Sequence, residues 1–163
     1  MTLPTELIRE RRERTFLVLA GIFLSAMTLL NVVGITRFIQ LGPLALAVGV
    51  LPYPLTFLCT DLISELYGRA RANFLVSVGL GINCLILAVL TLGAAAPAVP
   101  ESMMPPWQVL QLAAPVTLPN GSVVESEVGL FQLIYATTSG AVFASMLAYI
   151  AAQYCDVHLY HFW

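Results

Sequence analysis

The chain has 163 residues, of which 59% are hydrophobic and 10% charged, and its mean hydropathy is +0.88. A soluble domain carries roughly 25% charged residues, so this composition excludes an ordinary water-soluble fold and points to an integral membrane protein. The net charge of −2 says less than the placement of the cations: all 7 basic residues are Arg, at Arg9, Arg11, Arg12, Arg14, Arg37, Arg69 and Arg71, and none follows Arg71.

Four uncharged windows, 15–36, 38–60, 72–100 and 128–155, each reach the ~20 residues that span ~30 Å of hydrocarbon. The expected fold is therefore all-α, a polytopic transmembrane bundle forming a single membrane domain. About four spanning helices are expected, at 15–36, 41–67, 72–93 and 130–160. The positive-inside rule places residues 1–14 and the Arg69/Arg71 pair in the cytoplasm, separated by an even number of crossings. Residues 94–129, which contain Glu101, Glu125 and Glu127 but no Arg or Lys, then form an extracytoplasmic loop.

The first apolar segment is too long for the core of a signal peptide, roughly 7–15 residues, and is read as retained. Ahead of it, Pro4, Glu6 and the Glu10/Arg14 pair at i, i+4 predict a short surface helix leading into the membrane.

In the second segment Gly42-Pro43 opens the run and Pro52 and Pro54 interrupt it. Proline removes backbone donors, so a broken helix is expected, either lining a site or only shaping packing. Beyond the break, Phe57, Asp61 and Glu65 share one helix face at i, i+4, i+8, with Arg69 one turn further on. Glu65 is expected to pair with Arg69. Asp61 lies a turn deeper, where an ionisable group is costly and is read by default as functional.

The third segment offers Ser77 and Gly81 as a small-xxx-small pair and Asn83 as a packing amide. Gly79-Leu80-Gly81 is no nucleotide loop, because the next required glycine and a preceding strand are both missing. In the following connection, residues 106–114 are expected to make a short interfacial helix and 118–122 a turn, and the whole loop to act as a lid or a passive cap. The last segment carries a ridge of small residues at Ala136, Gly140, Ala144, Ala148 and Ala152. A second stripe follows, in which Tyr149, Gln153, Asp156 and Tyr160 give one face an amide, an acid and two aromatic rings. The residues after Asp156, with His158, His161 and Trp163, also fit an interfacial aromatic belt.

The stretch Leu55-Thr56-Phe57-Leu58-Cys59-Thr60-Asp61-Leu62-Ile63-Ser64-Glu65-Leu66-Tyr67-Gly68-Arg69, together with Ala148-Tyr149-Ile150-Ala151-Ala152-Gln153-Tyr154-Cys155-Asp156-Val157-His158, resembles the queuosine precursor transporter family, the YhhQ-like membrane proteins. Asn31 and the Pro52/Pro54 approach to the acidic motif belong to the same resemblance. It implies a multi-pass protein of the bacterial inner membrane that imports 7-deazaguanine precursors for tRNA modification. The family has about six helices and continues past the position of Trp163, so the resemblance implies a chain shortened at its C-terminus.

The residue chemistry is compatible with such a guest. A deazaguanine presents an N1–H and an exocyclic amine that one carboxylate can accept together, and a carbonyl that an amide can satisfy. Asp61 and Asp156 are the candidate acceptors, Gln153 and Asn31 complete the polar set, Phe57 and Tyr149 are candidate stacking rings, and Glu65 closes the acidic face. Transport of another purine-like heterocycle, or a structural or assembly role in a larger membrane complex, are the alternatives. An acid pair working as an intramembrane hydrolase has no recognisable motif behind it, and no enzymatic activity is expected. No cofactor, no metal and no direct nucleic-acid partner are expected; membrane lipid surrounds the chain, and oligomerisation is left open. Cys59, Cys84 and Cys155 are isolated in apolar segments and read as packing residues.

Overall fold

Among the described residues of the chain, in a computed structural model, three helices are long and apolar enough to cross a bilayer, over Glu6–Val33, Arg69–Ala95 and Leu130–Ala148. The structure describes residues 5–34, 36–100 and 103–162, with side chains through residue 148. By internal contacts the chain divides into two compact units, Met1–Ile82 and Asn83–Trp163.

The first unit opens with α1 (Thr5–Val33), a single helix that takes in both the expected surface helix and the first membrane span. The Glu10/Arg14 pair forms as expected, at 2.6 Å on an exposed face. Residues 38–50 do not extend the second helix. Instead β1 (Phe38–Leu41) and β2 (Leu44–Ala47) pair antiparallel around a two-residue turn, Gly42-Pro43, and a 3-10 turn follows at Val48–Val50. Gly42 takes a φ of 61°, the left-handed conformation that glycine enters without steric cost. The amide of Gly49 donates to the Gly34 carbonyl at 2.9 Å and that of Val48 to Arg37 at 2.8 Å, so this segment folds back on the end of α1.

Helix α2 then covers only Tyr53–Tyr67. This corrects the expected membrane helix over 41–67: Pro52 caps the helix and Pro54 sits in its first turn, where a missing N–H costs nothing. The prolines start this helix; they do not break it. Its 15 residues reach about 22 Å, less than the hydrocarbon thickness.

Gly68, at φ 87°, ends α2 and its amide donates to the Ser64 carbonyl; α3 (Arg69–Ala95) begins at the next residue. The core of the unit joins Ala20 and Phe23 of α1, Cys59 and Ile63 of α2, and Ala72 and Leu75 of α3. Ala20, Cys59 and Ala72 are small, which allows the close backbone approach that membrane helices rely on. Gly79 completes the contact, since a Cβ there would lie 3.2 Å from Met27 Sδ and 3.3 Å from Phe23 Cε1. The expected pair Ser77 and Gly81 lies on the exposed side of the same helix.

In the second unit, the connection 109–129 is a long irregular hairpin. β3 (Val109–Gln111) pairs with β6 (Glu127–Gly129), and β4 (Val116–Thr117) with β5 (Val123–Val124). The turn expected at 118–122 closes it. Gly121 adopts φ 86° and donates to Leu118, while Asn120 Oδ1 accepts from the amide and hydroxyl of Ser122. The expected interfacial helix at 106–114 is reduced to one 3-10 turn, Pro106–Gln108, because the residues after it enter the hairpin ladder. Helix α4 (Leu130–Phe162) follows directly. Leu118 and Val128 of the hairpin pack on Ala136 of α4. Ala136 is buried, but Gly140, Ala144 and Ala148 further along the small-residue ridge are exposed, as is Trp107.

Candidate functional site

Helix α2 has two faces of opposite character. Thr56, Cys59 and Ile63 are buried, and at 100° per residue Phe57, Asp61 and Glu65 point roughly 170° away from them. All three are exposed in the structure. The pattern follows from composition: the small and β-branched side chains at 56, 59 and 63 fit against neighbouring helices, which leaves the carboxylates outside the packed core. Asp61 lies about 9 Å along the helix from Tyr67, the last residue of α2, and Glu65 about 3 Å from it. Phe57 makes an edge-on contact with Tyr53 at a centroid separation of 4.9 Å, one turn above Asp61.

The expected pair between Glu65 and Arg69 does not form: among the described residues the ion pairs are Glu10 with Arg14 and Glu13 with Arg71. The cause is the Gly68 kink, which puts Arg69 at the start of α3, outside the α2 stripe. Asn31 does not join this face; it lies in α1, 2% exposed, with its side chain already engaged. Asp61, Glu65 and Phe57 thus share one surface of the first unit. The side chains of Tyr149, Gln153 and Asp156 lie outside the described residues, although the backbone there continues α4.

Sequence reasoning missed two features. In the first unit, the start of α1, the end of α2 and the start of α3 are knotted together. The Tyr67 hydroxyl donates to the Arg12 carbonyl at 2.7 Å, Arg12 donates to the Leu66 carbonyl at 2.9 Å, and Nη1 and Nη2 of Arg71 both donate to Glu13 Oε1 at 3.2 Å. The guanidiniums of Arg12 and Arg71 also lie 5.5 and 5.7 Å from the Tyr67 ring centroid. The missed signal was the aromatic residue placed between two Arg-bearing segments.

In the second unit, a cleft of about 500 Å³ opens between the end of α3, the start of α4 and the hairpin. Trp107, Gln108, Phe131 and Gln132 are among the residues that line it, and among the described residues no charged one does. Gly93 admits the Phe131 ring, which a Cβ there would meet at 2.9 Å. This volume is in the range of small-molecule sites, and aromatic walls with two amides suit a neutral planar guest that makes hydrogen bonds. Among the described residues no cluster of His, Cys, Asp or Glu is arranged to hold a metal ion.

No curated protein and no solved structure matches the chain significantly. A family model does, the one described as "Putative vitamin uptake transporter", over residues 47–163. That span begins just before the 3-10 turn at Val48–Val50 and takes in α2 with its acidic face, α3, the hairpin and α4. Three apolar helices of spanning length agree with membrane transport, and the family assignment implies transport, not catalysis. The chain belongs to the vitamin uptake transporter family, the group that includes the YhhQ-type queuosine precursor transporters.

Proposed function

We propose that this protein imports a queuosine precursor, 7-cyano-7-deazaguanine or 7-aminomethyl-7-deazaguanine, across the bacterial inner membrane. The observation that carries the reading is Asp61. Its carboxylate sits on an α2 face turned away from the packed core, one turn from Phe57 and one turn from Glu65, in a mainly apolar helix. A carboxylate left facing lipid is costly, so this face needs a polar partner, and the donor edge of a deazaguanine supplies one. Asp61 accepts from N1–H and the exocyclic amine, and Phe57 stacks on the ring. Asp156 and Gln153, with Tyr149, form the second set of recognition groups, a role supported by their stripe at helical spacing.

The amino terminus is cytoplasmic in this reading. Support comes from the knot around Tyr67, which brings Arg12 and Arg71 to one end of the helices, as the positive-inside rule requires of both basic segments. The cleft beneath the hairpin, walled by Trp107 and Phe131, is the first stop for the guest on the outer face.

A strain unable to make its own precursor tests the proposal. Expression of the gene encoding this chain, with precursor supplied at roughly nanomolar to micromolar levels, restores queuosine to tRNA. Absence of rescue, with the protein verified in the membrane, replaces transport with an assembly role.

A further inference from the structure

The junction of α1, α2 and α3 holds more positive charge than its own residues neutralise. A cleft of about 460 Å³ is lined by Ile8, Arg9, Arg12, Glu13, Tyr67 and Arg71, so three guanidiniums face one carboxylate. Arg71 is held by Glu13, and Arg12 is tied to the Leu66 carbonyl, but Arg9 has no ion-pair partner among the described residues. Two positive charges therefore remain uncompensated around one hollow, which favours an anion with several acceptor oxygens.

A second cleft of about 440 Å³ adjoins the first, sharing Ile8, Arg12 and Tyr67 and adding Arg11, Thr15 and Leu66. Ile8 and Leu66 are 46% and 50% exposed, so the charged hollow continues into an apolar surface. The depth matches as well. The junction lies where the Arg-rich start of α1 gives way to its uncharged run at Thr15, the level at which a spanning helix meets the headgroup layer. Charge, an adjoining apolar wall and this level together select an amphiphile over a free anion.

We propose that this junction is a specific site for an anionic phospholipid, its phosphate held by Arg9, Arg12 and Arg71 and its acyl chain resting on Ile8 and Leu66. The site is independent of the transport reading, because none of these residues lies on the Asp61 face.

Native mass spectrometry of the purified chain, in detergent with equal amounts of phosphatidylglycerol and phosphatidylcholine, tests it. The wild type retains phosphatidylglycerol selectively. Arg9→Gln, and more so the double change with Arg71→Gln, lowers that selectivity by about tenfold. Glu13→Gln raises it by removing the competing carboxylate, a gain that misfolding cannot produce. Equal retention of the two lipids by the wild type, or unchanged selectivity in Arg9→Gln with an unaltered melting temperature, overturns the proposal. Displacement of phosphatidylglycerol by millimolar inorganic phosphate would overturn it too, because a free anion would then be the ligand.

Discussion

The hydroxyl of Tyr67 donates to the backbone carbonyl of Arg12 across 55 positions of sequence, at 2.7 Å. This bond fastens the last residue of α2 to the first turns of α1. The Phe16 ring packs edge-on against Tyr67 at 5.4 Å, so the link has both a polar and an apolar part. Tyr67→Phe removes only the polar part and is expected to cost about 1 kcal/mol. Tyr67→Ala removes both parts and costs more. Thermal unfolding in a mild detergent compares the two.

Asp61→Asn is expected to abolish uptake while leaving folding and membrane insertion intact, because the side chain is exposed on the helix face opposite the buried Cys59 and Ile63. Surface changes of this kind usually move stability by no more than about 0.5 kcal/mol. Uptake of labelled precursor into cells, with protein quantified in the membrane fraction, measures the effect. Asp156→Asn is expected to behave in the same way. Normal uptake by both variants removes the site assignment.

Two glycines on α3 are expected to respond in opposite directions. Gly79→Leu forces bulk against Met27 and Phe23 and is expected to destabilise by about 1–3 kcal/mol. Gly81→Ala meets nothing within 4 Å and is expected to stabilise slightly, by up to about 1 kcal/mol, through helix propensity. Melting temperatures of the two variants decide which face of α3 carries the contact.

Thr138 on α4 is fully buried, and its hydroxyl has no hydrogen-bond partner among the described residues. Thr138→Val replaces the hydroxyl with a methyl group of similar size. An orphaned buried hydroxyl costs roughly 1–3 kcal/mol, so this change is expected to leave stability unchanged or raise it, as read by a thermal melt.

Trp107 is 66% exposed at the edge of the cleft beneath the hairpin. If the guest enters there, Trp107→Ala raises the apparent KM for uptake by about tenfold, the loss of one ring–base stack, with little change in maximal rate. Trp107→Phe keeps an aromatic face and restores most of the affinity. Concentration-dependent uptake curves separate the two.

The membrane class, the helical fold and the course of α3 were legible because long uncharged windows have one physical solution in a bilayer. The acidic face of α2 was legible too, since a spacing of four residues fixes a helix face wherever the helix begins. The hairpin at 38–47 was not legible, because a short apolar run reads equally as strand or as membrane helix. Gly42-Pro43 between two four-residue strands was the available signal, and it was read as a helix opening. The Glu65–Arg69 pairing failed for a different reason. Helical spacing was extended across Gly68, whose positive φ redirects the chain before Arg69.

One glycine, with no spare residue on either side, is all that joins α2 to α3. Such a joint has no slack. A tilt that carried Asp61 inward would act as a lever on the base of α3, pulling Arg71 against Glu13, so that moving the acid and loosening that clasp would be one mechanical event.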